Sequence, residues 1–141
     1  PAARLKTVEK LAAAGLPVGV LAAPILPLLT DAEPALDALF AAVKAHGATY
    51  AKGMVLRLAP DVKMWYYRTL EAHFPKLIPR YVRLYEKANA AEPYAERMNR
   101  LLAELSVRHQ LPSTSPENED GSADRAEAPA APPIEQLAFN F

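Results

Sequence analysis

The chain has 141 residues, half of them hydrophobic, with 16 basic and 16 acidic side chains and no net charge. Zero cysteines exclude disulfides and thiolate metal sites within it. No segment reaches the roughly 18 uninterrupted apolar residues of a membrane span, and the apolar stretch 16–29 holds three prolines and lacks a basic leader and cleavage site, so the expectation is a cytoplasmic protein with no membrane partner.

Residues 2–14 read as a helix with Leu5, Val8, Leu11 and Ala12 on one face and Gly15 closing it. The chain opens at Pro1, inside that helical pattern, which favours a fragment of something longer. Residues 17–25 read as a strand, apolar almost throughout, as expected when both faces are covered. A turn over 27–31 leads to a helix from about Asp31 to His46, with Thr30 or Asp31 as its cap. Leu36, Leu39, Phe40 and Val43 form its buried stripe, and Gly47 ends it.

A second strand is expected over 50–58, where Gly53 marks a bulge or a close approach by another group. Helices follow over 62–74, rich in aromatic residues and capped by Asp61, and over 77–88. A last helix starts at Pro93 and carries Tyr94, Met98, Leu101, Leu102 and Leu105. Residues 112–133 are Ser, Pro, Glu, Asp, Gly and Ala, a composition too poor in apolar area to offset its chain entropy, and are read as a disordered acidic linker. The final eight residues, 134–141, turn apolar again. The pattern α-β-α-β-α implies two parallel strands, and parallel sheets need more strands than two and cover on both faces. The chain therefore borrows a sheet or is a piece of a larger barrel or doubly wound domain.

Catalytic signatures such as a phosphate loop, a His-x-x-x-His pair or a nucleophile elbow are absent. His46, His73 and His109 each fall near a helix C-terminus, where the helix dipole favours them. In α/β folds ligands collect at the C-terminal ends of strands, here Ala23–Pro27 and Leu56–Ala59. Arg57 is the charged side chain there, suited to gripping a carboxylate or phosphate. Trp65, Tyr66, Tyr67, Phe74, Tyr81 and Tyr85 lie among Arg68, Arg80 and Arg83. They fit either packing between helices or stacking on bases. Residues 57–108 carry 10 basic against 6 acidic residues, and 113–135 carry 1 against 6, an asymmetry compatible with a nucleic-acid partner.

The run from Leu11 to Pro27 resembles the back half of radical S-adenosylmethionine proteins. The similar group is the one related to spore photoproduct lyase and described as DNA repair photolyase-like, in which "EAGIPVGV" leads into "APVIPGLND". His46-Gly47-Ala48, the stretch Val55 to Pro60 (resembling "LRLP"), Leu70 to Pro75 (resembling "LERHFP") and the terminal helix through Leu111 continue it. Residues 1–111 are covered.

The resemblance implies the C-terminal βα units of a partial (β/α) barrel with a helical cap. The missing N-terminal half of that barrel would carry a CxxxCxxC motif for a [4Fe–4S] cluster, so the fragment alone is expected to be inactive. It also implies that Ala23, Ile25 and Pro27, with Val55, Leu56 and Arg57, approach the adenine of S-adenosylmethionine. The glycines of the family's loose GxIxGxxE motif are replaced here, which leaves Ile25 as its best-matched residue. The implied activity is reductive cleavage of S-adenosylmethionine to a 5′-deoxyadenosyl radical, with damaged DNA as substrate by family naming. The terminal peptide, with Gln136, Leu137, Phe139 and Phe141, resembles the motifs that dock bacterial proteins on the replicative sliding clamp. The rival reading is a non-catalytic DNA-associated module with that docking tail.

Overall fold

The computed structural model describes residues 2–114. Its elements are α1 (Ala2–Ala13), β1 (Gly19–Ile25), α2 (Glu33–Ala45), β2 (Tyr50–Val55), α3 (Pro60–His73), a 3₁₀ turn (Pro75–Leu77), α4 (Ile78–Leu84) and α5 (Glu92–Arg108). The expected peptide 134–141 and most of the expected linker lie outside the described residues.

β1 and β2 are parallel, with Gly19 opposite Tyr50, Val20 opposite Ala51 and Ala22 opposite Gly53; the register slips between Ala22 and Ile25. Helix α2 makes the crossover, as parallel neighbours require. Val20, Ala51 and Val55 turn toward α2 and α5. They meet Leu36, Phe40 and Val43 from α2 and Met98, Leu102 and Leu105 from α5. Gly53 is the close approach anticipated above. A Cβ there would lie 2.5 Å from Leu102 Cδ2, so α5 can reach the sheet only because that position has no side chain. Gly15 and Gly47 both adopt positive φ, 77° and 86°, as their places after α1 and α2 demand.

The fold corrects the expectation of a partial (β/α) barrel. The described residues form a small α/β domain of five α-helices and one two-stranded parallel sheet. The physical reason lies at β2. Its outer edge is stopped by the chain itself, where Ala51 N–H donates to the carbonyl of Pro112 at 2.9 Å, and the residues after it build helices that pack on one side. The uniformly apolar 17–25 also led to a strand covered on both faces. Instead Leu21 is 60% exposed and Met54 49% exposed, so one sheet face is open. Neither Thr30 nor Asp31 caps α2, whose N-cap is Ala32 without a side-chain bond. Likewise Ala59, not Asp61, precedes α3.

Candidate functional site

The C-terminal ends of the two strands come together. Leu56 N–H donates to the Ile25 carbonyl at 2.9 Å, joining the segments just where both strands stop. After Ile25 the chain makes a tight turn. Thr30 Oγ1 accepts from Leu26 N–H at 2.8 Å, Thr30 N–H returns to the Leu26 carbonyl at 2.9 Å, and Leu28 takes a left-handed φ of 63°.

A second core, of Leu58, Leu70, Tyr81 and Tyr85, lies behind this ledge. Its tyrosines hold the ledge in place. Tyr81 Oη donates to the Pro27 carbonyl at 2.6 Å and accepts from Tyr66 Oη at 3.1 Å. Tyr85 Oη donates to the Leu56 carbonyl at 2.7 Å. The Tyr81 and Tyr85 rings stack with centroids 5.8 Å apart. Tyr94 Oη, from α5, donates to Asp31 Oδ2 at 2.7 Å. Tyr81 and Tyr85 thus reach from the helical part to the residues just past the two strand ends, and Tyr94 reaches the loop before α2. Burial, the leading cause in each case, pushes all three phenols well above the ordinary tyrosine range; Tyr66 adds to the rise at Tyr81 and Tyr85, and the bond to Asp31 adds to that at Tyr94. They stay protonated at neutral pH and act as donors rather than as bases. Tyr67 differs: its buried hydroxyl has no hydrogen-bond partner among the described residues.

The six residues expected at a cofactor divide by exposure. Ala23 and Arg57 are exposed, Val55 and Leu56 half-buried, and Ile25 and Pro27 buried. Ile25 belongs to the main core. The structure brings all six to the same end of the sheet. The aromatic set divides as well. Tyr66, Tyr67, Tyr81 and Tyr85 pack in the second core, whereas Trp65 of α3 is 69% exposed and Phe74, just after α3, is exposed too.

Two of the histidines, His46 and His109, hold structural positions. His46 Nδ1 contacts the Ala42 carbonyl at 2.7 Å at the end of α2. His109 Nε2 and Arg108 both meet Asp37 Oδ1 at 2.9 Å. His109 first, then Arg108, holds the Asp37 carboxyl below its ordinary value of 3.8. Among the described residues no group of three His, Asp or Glu side chains is placed to hold a metal ion, and no helix is long and apolar enough to cross a membrane.

Sequence reasoning found the strand ends but missed the tyrosine hydroxyls that hold them. Each bond spans 29 to 63 residues, and no local signal announces such a pairing. Comparison with known proteins adds length rather than activity. No family model matches the chain, and no solved structure does. It is 35% identical over 112 residues to uncharacterized proteins of Mycobacterium bovis and of two strains of Mycobacterium tuberculosis, an overlap of 79% of this chain and 33% of each relative. The chain spans about a third of the length of the curated relatives it matches.

Proposed function

We propose that this chain works as one part of a radical S-adenosylmethionine enzyme similar to spore photoproduct lyase and the DNA repair photolyase-like proteins. The observation that carries this reading is the fixed ledge where Ala23–Pro27 meets Val55–Arg57. Open α/β sheets bind ligands outside the carboxyl ends of their strands, and the family resemblance places S-adenosylmethionine at these same residues.

The chain's own side chains fit part of that chemistry. With no cysteine they do not fit the [4Fe–4S] cluster, whose thiolate ligands belong to another segment. For S-adenosylmethionine, exposed Ala23 and Pro24 offer an apolar surface to an adenine, and Arg57 offers a guanidinium to a carboxylate. Buried Ile25 and Pro27 shape the ledge from beneath. Tyr81 and Tyr85 hold its carbonyls, which keeps the positioning surface rigid. When bound, the cluster and cofactor would supply reductive cleavage of the sulfonium, chemistry that belongs to them and not to this chain's side chains.

The test is anaerobic reconstitution of the full-length polypeptide carrying this chain with iron and sulfide, followed by assay of 5′-deoxyadenosine under reducing conditions. The proposal expects product, and expects Arg57→Ala to weaken S-adenosylmethionine binding about tenfold, the effect of roughly 1.4 kcal/mol. Cluster-loaded protein that leaves the cofactor intact would sink it.

A second reading has its own observation. Met64 and Trp65 of α3 and Phe74 just after it are exposed, as are Arg68 of α3 and Arg80 and Arg83 of α4. That surface suits stacking on single-stranded DNA, with Gln136, Leu137, Phe139 and Phe141 docking on the sliding clamp. Trp65 is the chain's single tryptophan, so its fluorescence reports directly. This reading expects quenching by single-stranded DNA that weakens with salt; an unchanged signal rejects it.

A further inference from the structure

Charge is divided along this chain. The stretch 60–91, which holds α3, the 3₁₀ turn, α4 and the loop after it, carries six basic side chains and three acidic ones. The segment 117–127 carries five acidic side chains and one basic. Arg68, Lys76, Arg80, Arg83 and Lys87 are all exposed, with Asp61, Glu71 and Glu86 as the acids interspersed with them. Among the described residues every salt bridge joins Arg108 or His109 to Glu33 or Asp37, so no carboxylate there pairs with these five cations. Arg80 and Arg83 stand three residues apart on α4 and share one face. Arg83 and Lys87 line one recess of about 490 Å³, together with Glu86 and Glu92.

The acidic segment is tethered within reach of these cations. Pro112 is fixed at β2, where its carbonyl accepts the Ala51 N–H at 2.9 Å. From Ala51 to Leu58 the chain covers at most about 25 Å, and hydrogen-bonded neighbours add about 5 Å at each end. Leu58 N–H donates to the carbonyl of Ala88 at 2.8 Å, next to Lys87. Pro112 therefore lies within about 35 Å of Lys87, whereas the residues from Thr114 to Glu127 extend up to about 45 Å. A tethered segment acts at an effective concentration of millimolar order. At such a concentration ion pairs that are individually weak add up to a populated contact.

We infer that the acidic segment 117–127 docks on the basic surface of α4 and the loop after it, with its carboxylates on Arg80, Arg83 and Lys87. Docked there, it covers cations that single-stranded DNA would use and acts as the chain's own competitor for that ligand. The contact needs neither radical chemistry nor DNA; only the competition rests on the second reading above.

Carbodiimide cross-linking of the full-length polypeptide, which joins a carboxylate to a lysine amine touching it, tests this when followed by peptide mapping. Lys52 is the internal control. It is exposed and lines one groove with Thr114, so a segment that moves freely meets it first. Cross-links from 117–127 are expected at Lys87 about tenfold over Lys52, a preference of roughly 1.4 kcal/mol. That excess is expected to vanish in 1 M salt, where screening acts within about 3 Å, and in Arg80→Gln/Arg83→Gln, which leaves Lys87 in place. Cross-linking at Lys52 equal to that at Lys87 overturns the inference. So do cross-links that join isotope-labelled to unlabelled copies, which assign the segment to a second molecule. Single-stranded DNA binding separates the two claims. Glu117→Gln, Glu119→Gln, Asp120→Asn, Asp124→Asn and Glu127→Gln together are expected to tighten it about tenfold at low salt, as when a site blocked nine-tenths of the time is freed. Lys87 cross-links with no DNA binding by either protein retain the docking and remove the DNA reading. Equal DNA binding by both, without those cross-links, does the reverse.

Discussion

Replacing Tyr85 by Phe removes one oxygen from a site where the structure gives that oxygen a specific task. The ring is fully buried and stacks on Tyr81, so the substitution keeps the packing. What goes is the 2.7 Å bond to the Leu56 carbonyl, and with it that acceptor's donor. Losing such a bond and stranding its partner costs about 1–3 kcal/mol. With a urea dependence near 2 kcal/mol per molar for a domain of this size, a loss of about 2 kcal/mol lowers the unfolding midpoint by about 1 M. Tyr67→Phe is the matched control. It removes the same atom from a hydroxyl that is buried without a partner among the described residues, and it is expected to be neutral or to stabilise by up to about 1 kcal/mol. Urea unfolding of both variants, followed by circular dichroism, decides. Equal midpoint shifts, or a larger loss for Tyr67→Phe, would refute the reading of these tyrosines as ties to the strand ends.

Gly53→Ala is expected to destabilise by about 1–3 kcal/mol in the same assay, because the new methyl meets Leu102 at 2.5 Å and Ile25 at 3.1 Å in a filled core. Leu105→Ala, at a position with no exposure, is expected to cost about 3–5 kcal/mol by leaving a cavity between α5 and the sheet. Asp37 carries a pH dependence. Its folded value lies below 3.8 because His109 and Arg108 favour the carboxylate, so its contribution is present above 3.8 and is lost as pH falls through the lower folded value. The stability gap between wild type and Asp37→Asn should therefore be open near neutrality and close below pH 3.8; a gap unchanged in acid would contradict the pairing.

Much of the fold was legible because it is local. The 3.6-residue spacing of Leu36, Phe40 and Val43, the glycines after α1 and α2, and the apolar runs around 19–25 and 50–55 each follow from the chain's own neighbours. What escaped was tertiary. Thr30 and Asp31 are good caps by residue type, yet Thr30 takes the Leu26 N–H and Asp31 takes a hydroxyl from 63 residues away, so neither is left for α2. The apolar run of β1 showed what those side chains are able to bury. It carried no information on whether this chain supplies the cover, and Leu21 remains open. At the candidate site the strand ends were readable from fold logic. Which of their residues are exposed was not, because the register slip between Ala22 and Ile25 sends Ile25 into the core.

The central claim is that the ledge at the strand ends serves S-adenosylmethionine beside a cluster held by another segment of a longer protein. Electron paramagnetic resonance of the reduced, iron-reconstituted full-length polypeptide addresses it most directly. The account predicts a [4Fe–4S] signal whose shape changes when S-adenosylmethionine is added, with a smaller change in Arg57→Ala. Absence of any cluster signal after reconstitution, or a signal indifferent to the cofactor, would contradict it.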